Sequence, residues 1–190
     1  RSIEFGGRGK SVTVFRHDFP GSTLWLDFWD MVEGARWEED TLCVFEWFLS
    51  RDTKSVLVDF GSWIGPTVLW GGLFASRVLS LEPDPVSFST LVANVNANPE
   101  TAAKTSIFWE CIAPEAGLVP MAGSGESNTR MTGVLDAKFL KAGSQWAVPC
   151  RTLPGFLADQ TSTGSGTVQS TEYSLNSVAL PANALSVNGK

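Results

Sequence analysis

The stretch Ser55–Trp70, SVLVDFGSWIGPTVLW, places a short apolar run directly before a glycine-bearing turn and a proline. A continuous run of β-branched and apolar residues up to Asp59 is typical of a strand buried on both faces. Gly61 and Gly65 allow a tight turn, because glycine adopts positive φ angles at little cost. Pro66 suits the first turn of a helix. The stretch therefore predicts a strand, a turn and the start of a helix.

A second apolar strand is predicted at Ser76–Pro83, SRVLSLEP, after a helix at Pro66–Ala75. Gly71 and Gly72 weaken the helix prediction, since glycine disfavours helix interiors. A strand, a helix and a strand in close succession form a βαβ unit, in which the two strands are parallel and the crossover is right-handed. The next helix has stronger signals. Asp84 is its predicted N-cap and the proline after it takes the first helical position. Its predicted apolar stripe consists of Phe88, Leu91, Val92 and Val95, and Asn98–Pro99 ends it.

Two later segments also have strand character. Thr105–Ala113, TSIFWECIA, predicts a third strand, and Gln145–Leu153, QWAVPCRTL, a fourth that Pro149 weakens. Met121–Met131 between them is rich in glycine and serine and predicts a loop. Together the elements predict an α/β fold with a parallel-rich sheet flanked by helices.

The N-terminal 54 residues predict a strand at Ser11–Phe15 and a helix at Asp40–Ser50, with Asp40 as its cap. The predicted inner face of this helix is Leu42, Phe45 and Leu49. This segment also holds four tryptophans, interpreted as packing residues, with a substrate-lining role as the alternative: Trp25, Trp29, Trp37 and Trp47. The predicted organisation is a cap segment at 1–54, a core at 55–160 and a low-complexity, poorly ordered tail at 161–190.

Bulk composition excludes several classes of function. The chain has 190 residues and a net charge of −6, so attraction to nucleic acid is not expected. No apolar run reaches the ~20 residues of a membrane span. Cys43, Cys111 and Cys150 are odd in number and widely spaced. They predict small buried hydrophobes rather than disulfides or a zinc site, which favours a reducing compartment such as the cytoplasm.

The turn and the end of the second strand predict a ligand that carries a ribose. Glu82 ends that strand, and a carboxylate there can accept hydrogen bonds from two ribose hydroxyls. The dinucleotide fingerprint fails, because Trp63 and Pro66 stand where it needs glycine. Gly6–Ser11, GGRGKS, lacks the first glycine of a phosphate-binding Walker A loop, because Glu4 stands there, and predicts a solvated basic loop. A ribose without phosphate, as in S-adenosylmethionine, fits the pattern better.

VLVDFGSWIGPTVLW followed by RVLSLEPDPVSFSTLVANVNANP resembles the FkbM-type family of S-adenosylmethionine-dependent methyltransferases, over residues 37–159. In that family a strand ends D-x-G-A-N-x-G and the next ends E-P-D-P, before a helix with an Asn-rich end, here Asn94 and Asn98. The resemblance implies a Rossmann-like class I methyltransferase fold that binds S-adenosyl-L-methionine. The cofactor-binding residues that it implies are Asp59, Gly61, Ser62, Gly65, Glu82, Pro83 and Asp84.

The implied activity is O-methylation of a hydroxyl on a small molecule or glycan, with no catalytic residue assigned. Ser62 and Trp63 replace the family's usual Ala-Asn, and the family's later strands are missing from this sequence. Because those strands are missing, the resemblance implies a C-terminally incomplete member: a truncated or mis-spliced product, or a degenerate homologue. The chain also begins without Met, which predicts a fragment or a processed product. His17 is a candidate base, with a surface turn as the alternative. Two other functions remain open: a cofactor-binding module without turnover, and a non-enzymatic interaction domain.

Overall fold

The computed structural model describes residues 1–6, 8–15, 24–123, 130–131 and 144–162. Two compact units divide the chain. The first, here the N-terminal unit, combines Arg1–Glu82 with Ser87–Phe108, and the second, the C-terminal unit, combines Pro83–Val86 with the chain from Trp109 onward. The candidate base His17 and the predicted tail beyond Ser162 lie outside the described residues.

The N-terminal unit is α/β, with a three-stranded parallel sheet and helices. Its elements are β1 (Ser2–Glu4), β2 (Ser11–Thr13), α1 (Leu24–Glu33), α2 (Glu39–Leu49), β3 (Val56–Phe60), α3 (Pro66–Gly72), β4 (Arg77–Leu81), α4 (Pro85–Asn96, from Ser87 in this unit), α5 (Pro99–Ala102) and β5 (Thr105–Phe108). The strand order is β3-β4-β5, and both pairings are parallel. The predicted parallel pair with a helix between its strands is therefore confirmed as β3-α3-β4.

Helix α3 runs through both glycines that weakened its prediction, and close packing explains why. A Cβ on Gly72 would lie 2.5 Å from Cγ2 of Thr101, and a Cβ on Gly71 would overlap the side chain of Leu57 on β3. The absence of side chains lets α3 lie directly against β3 and α5. This contact offsets the low intrinsic helix propensity of glycine.

The tryptophans of the N-terminal segment have different environments. Trp29 is buried in the core, and Trp37 packs against the core from a partly exposed position. Trp47 is 55% exposed and does not pack in the core. It lies on the outer side of α2, because Leu42 and Leu49 turn the opposite side inward. The side chain of Trp25 lies outside the described residues.

The loop between β1 and β2 is exposed at Gly9 and Lys10, as the sequence predicts, but its basic residue Arg8 is partly buried. Arg8 reaches α2, where its guanidinium lies 3.3 Å from carboxylate oxygens of both Glu39 and Glu46. It also donates a 2.7 Å hydrogen bond to Sγ of Cys43. These contacts anchor the loop to the side of α2 that carries Glu39, Cys43 and Glu46.

Helix α4 buries a different stripe from the predicted one. Leu91 and Val95 are buried as expected, but Phe88 and Val92 are only half-buried. The remaining buried positions are polar: Ser87, Thr90 and Asn94. The apolar pattern missed these residues because it scores hydrophobicity, whereas a polar side chain can be buried once it is hydrogen-bonded.

The C-terminal unit contains a second, mixed sheet. Its elements are β6 (Cys111–Ile112), β7 (Gly117–Gly123), β8 (Arg130–Met131), β9 (Ser144–Arg151) and α6 (Leu153–Ser162), and the strand order is β6-β9-β7-β8. β9 pairs parallel with β6 and antiparallel with β7. The predicted loop at Met121–Met131 is partly wrong, since β7 extends to Gly123 and β8 ends at Met131.

The predicted third strand, Thr105–Ala113, is divided between the two sheets. Its first part, β5, pairs with β4 up to Phe108, whose carbonyl accepts the N–H of Glu82. The next residue after Glu82 is Pro83, which has no N–H to continue the ladder. Cys111 and Ile112 instead form β6 beside β9.

Cys111 and Cys150 form a disulfide, which corrects the prediction that all three cysteines are unpaired hydrophobes. They face each other in the parallel pairing of β6 with β9, with their Cα atoms 4.4 Å apart. Both are buried, and Cys43 is the free cysteine. Sequence spacing missed the pair because the strands meet only in the folded chain. The disulfide removes the argument from cysteine usage for a reducing compartment.

The helices are short compared with a membrane span. α4 has 12 residues and α2 has 11, whereas a span needs ~20 apolar residues. Within the described ranges, no helix combines the length and apolar character needed to cross a membrane.

Candidate functional site

The turn between β3 and α3 lies at the carboxyl end of β3. It is held in place by backbone hydrogen bonds that it donates to β4. The N–H groups of Gly61 and Ser62 donate to the carbonyl of Leu81, at 2.8 and 3.1 Å. Gly61, Trp63 and Gly65 all have positive φ angles, of 76°, 52° and 96°. The turn therefore has a defined backbone shape, for which two glycines are well suited and a tryptophan is not.

The buried hydroxyl groups of Ser80 and Ser62 support this turn through consecutive hydrogen bonds. The hydroxyl of Ser80 donates to Oγ of Ser62 at 2.7 Å, and Oγ of Ser62 donates to the carbonyl of Asp59 at 3.2 Å. Ser62 and Ser80 are both buried. Sequence reasoning identified Ser62 but missed Ser80, although a single polar residue in the apolar strand RVLSL was an available signal.

Glu82, the predicted ribose-binding residue, lies beside the turn. Its Oε2 accepts the N–H of Trp63 at 2.6 Å, and the side chain is 4% exposed. Asp59 is the last residue but one of β3, and Glu82 directly follows the neighbouring parallel strand β4. The two carboxylates thus belong to one edge of the sheet, as the sequence predicts. The bond to Trp63 gives Glu82 a structural role in bracing the turn.

Asp59 connects the end of β3 to the first turn of α3. Its Oδ2 accepts the hydroxyl of Thr67. Burial raises the pKa of the Asp59 carboxyl, and hydrogen bonds from Thr67 and Ser62 oppose this rise without cancelling it. A carboxylate kept in such a place at a cost in stability is typical of a functional position.

We predict that Asp59→Asn makes the ligand-free protein more stable at pH 7. Because the pKa of Asp59 is higher in the folded state than its ordinary value, the folded state binds the proton more tightly. Stability from this group is present at low pH and is lost as pH rises through the folded pKa. The amide removes that loss, so the gain in melting temperature at pH 7 shrinks toward pH 4. Thermal unfolding between those pH values measures it.

The matched control is Asp52→Asn, which removes the same charge from an exposed loop. We expect no comparable pH-dependent gain from it. A lower melting temperature for Asp59→Asn at pH 7 would contradict the prediction, and would indicate that the carboxylate chiefly stabilises the strand end through its hydrogen bonds.

Trp63 is the bulky residue of the turn and has a positive φ angle. Its indole packs edge-on against Phe28, with ring centroids 4.7 Å apart at 77°. A left-handed backbone costs a non-glycine residue about 1–2 kcal/mol. The aromatic contact and the hydrogen bond to Glu82 offset this strain.

Asn94 on α4 and Asn98, which precedes α5, bind other parts of the N-terminal unit. Asn94 donates to the carbonyl of Ile64 in the turn and accepts the N–H of Phe15, at 2.8 and 2.7 Å. Asn98 bonds both backbone groups of Thr13. These contacts explain the buried asparagine, because its amide can satisfy donors and acceptors of two chain segments at once.

Pro83 and Asp84, two further residues predicted to bind the cofactor, belong to the C-terminal unit. Oδ1 of Asp84 accepts the N–H of Val86 at 2.8 Å, so the predicted helix cap is confirmed. The carbonyl of Pro83 accepts the indole N–H groups of Trp109 and Trp146, at 3.0 and 2.8 Å. Sequence reasoning assigned Pro83 to the cofactor site and missed these two indole contacts.

The N-terminal unit thus assembles the candidate residues Asp59, Gly61, Ser62, Gly65 and Glu82 around one turn. Chemically, the arrangement offers two carboxylates and a close approach to the backbone over Gly61, where a Cβ would meet nothing within 4 Å. Comparison of the chain with protein-family models, curated proteins and solved structures finds no match.

Proposed function

We propose that the turn between β3 and α3 binds S-adenosyl-L-methionine, and that the protein is a methyltransferase with a Rossmann-like class I fold. The single observation that carries the proposal is the placement of Asp59 and Glu82. Both lie at the carboxyl edge of a parallel sheet, beside a glycine turn that leads into a helix. In α/β sheets of this kind, ligands bind beyond the carboxyl ends of the strands.

The chemistry of the site supports a ribose-bearing ligand without a phosphate. Carboxylates accept hydrogen bonds from ribose hydroxyls and attract the positive sulfonium, whereas they repel phosphate. The acidic chain, with a net charge of −6, agrees with this preference. In the proposed complex Glu82 binds the ribose and Asp59 faces the methionine end.

The proposed reaction is methyl transfer to a hydroxyl of a small molecule or glycan. S-adenosylmethionine supplies an activated methyl group, and transfer is an in-line displacement that depends mainly on positioning the two reactants. Asp59, Ser62 and Gly65 would position the cofactor. The candidate base His17 lies outside the described residues and remains a prediction.

Binding of S-adenosylhomocysteine tests this proposal by isothermal titration calorimetry. We expect Glu82→Ala to weaken binding by about 10- to 100-fold, since hydrogen bonds to a charged group contribute about 1.5–3 kcal/mol. Glu82→Gln keeps an oxygen that can accept the Trp63 N–H and separates loss of charge from loss of the turn. Undiminished binding by Glu82→Ala would remove Glu82 from the site.

The matched control is Glu100→Gln, which neutralises an exposed glutamate in the same unit. It should bind S-adenosylhomocysteine like the unmodified protein. Circular dichroism of each variant shows whether the fold is retained. A folded protein that binds neither S-adenosylhomocysteine nor S-adenosylmethionine would refute the proposed function.

A second candidate function is that of a module that binds the cofactor but does not catalyse methyl transfer. The hydrogen bond from Trp63 to Glu82 favours it, because this carboxylate already has a structural partner and is nearly inaccessible. Binding without methyl transfer to any hydroxyl acceptor in a screen would support the module. Transfer abolished by Glu82→Ala would support the enzyme.

A further inference from the structure

The outer side of α2 carries a stripe of exposed residues that no described part of the protein covers. The stripe consists of Asp40, Val44, Trp47, Phe48 and Arg51. Its members follow the spacing i, i+4, i+7, i+8 and i+11, which places them along one side of a helix. Val44, Trp47 and Phe48 are 50%, 55% and 62% exposed. Contiguous exposed apolar residues of this kind mark an interaction surface.

Contacts within the stripe make it one continuous surface. The rings of Trp47 and Phe48 lie 4.6 Å apart, edge to face. The chain continues past Leu49 as a helical turn, in which the N–H of Arg51 donates to the carbonyl of Phe48. The guanidinium of Arg51 then lies over the Trp47 ring, 4.1 Å from its centroid. Its positive charge is thereby held at one end of the apolar patch.

The two ends of the stripe carry opposite charges. Asp40 lies in the first turn of α2, and Arg51 lies two positions after its last residue, Leu49. The apolar residues lie between them. A surface that is acidic at one end, apolar in the middle and basic at the other is complementary to itself when a second copy is turned by a two-fold rotation.

We propose that the protein forms a symmetric homodimer in which the stripe on α2 packs antiparallel against the same stripe of a second copy. Asp40 of each copy meets Arg51 of the other, and Val44, Trp47 and Phe48 pack at the centre. A parallel arrangement is disfavoured, because it would oppose Asp40 to Asp40 and Arg51 to Arg51.

A shallow cavity beside the stripe supports this arrangement. It has a volume of about 500 Å³ and is lined by Arg8, Cys43, Glu46, Trp47, Ser50 and Arg51. Such a depression can receive a side chain of a facing helix, as in the packing of ridges into grooves. A single helix pair buries less area than a standard interface, so we expect a reversible dimer with a Kd on the order of 10 µM.

Sedimentation velocity of the full chain over about 1–500 µM tests the proposal. We expect a concentration-dependent dimer. Phe48→Ser should weaken it at least about a hundredfold, since each copy loses a central aromatic anchor. Leu118→Ser is the matched control, because Leu118 is also an exposed apolar residue and lies on β7. It should leave the dimer unchanged.

Charge reversal tests the antiparallel orientation. Asp40→Arg alone and Arg51→Glu alone should each weaken the dimer by about tenfold, because each creates two repulsive pairs. Mixing the two single variants in equal amounts should restore association, since both charge pairs are attractive in the mixed dimer. The double variant in one chain should also dimerise.

Three results would overturn the proposal. A folded monomer at all concentrations would assign the stripe to a different partner. A dimer insensitive to Phe48→Ser would place the interface elsewhere. A dimer that mixing the single variants does not restore would exclude the antiparallel pairing. The test is independent of the proposed cofactor site, because the stripe residues take no part in it.

Discussion

Gly65→Ala is expected to destabilise the N-terminal unit by about 2–5 kcal/mol. Two costs add at this position. The φ angle of 96° is strained for any residue with a side chain, and the new Cβ would lie 2.7 Å from Cδ1 of Leu91. Leu91 is fully buried, so it has little room to move. Equilibrium unfolding in urea measures the effect.

Gly61→Ala is a control from the same turn that separates the two costs. Its φ angle of 76° is also positive, but a Cβ there would meet nothing within 4 Å. We therefore expect only the strain, about 1–2 kcal/mol. Leu91→Val, which shortens the side chain, should recover part of the stability of Gly65→Ala. Equal losses for the two glycine substitutions would contradict the proposed overlap with Leu91.

Gly65→Ala should also weaken S-adenosylhomocysteine binding if the proposed function is correct. Gly65 is the last residue of the turn before α3, and its N–H donates to the carbonyl of Ser62 at 2.9 Å. A displaced turn would move the backbone away from the ligand. A variant with reduced stability but unchanged affinity would separate the turn from the binding site.

Removal of the disulfide is expected to destabilise the C-terminal unit by about 4 kcal/mol, because the bond closes a long loop and so restricts the unfolded chain. Cys111 and Cys150 are separated by 39 positions, and the bond joins β6 to β9. β6 has two residues and, among the described strands, pairs with β9 alone, so it depends strongly on the link. We expect a reducing agent, or the double variant Cys111→Ala/Cys150→Ala, to lower the melting temperature.

Cys43→Ser is the matched control, since Cys43 is outside the disulfide. It should melt like the unmodified protein and respond equally to the reductant. Alkylation of the denatured, unreduced chain should label one cysteine by mass spectrometry and label all three after reduction. Three labels without reduction would contradict the disulfide.

The candidate site was predictable where it depends on neighbours in sequence. Asp59 and Glu82 could be assigned to strand ends because each closes a short apolar run before glycine or proline. Ser80 could have been found as a polar residue within such a run. The positive φ angle of Trp63 could not have been predicted, because nothing in a bulky aromatic side chain favours that conformation. It depends on Phe28 and Glu82, which are distant in sequence.

The exposed side of α2 shows the same limit. Leu42, Phe45 and Leu49 correctly predict one inner face. Trp47 was interpreted as a packing residue because aromatic residues carry much of the buried apolar area. In the part of the chain that the structure describes, the core covers the side of α2 that carries Leu42 and Leu49, and Trp47 lies on the opposite side.

The sequence alone determined the β3-α3-β4 unit and the capped start of α4. Apolar runs, Pro66 and the Asp84 cap act within a few residues, and local physics is sufficient for them. Only the tertiary structure decided the division of Thr105–Ala113 between two sheets and the pairing of Cys111 with Cys150. It also decided that Glu82 is buried and accepts a hydrogen bond from the backbone N–H of Trp63. Each of these depends on which distant segments meet, and the free energy of such contacts belongs to the folded chain rather than to any local stretch.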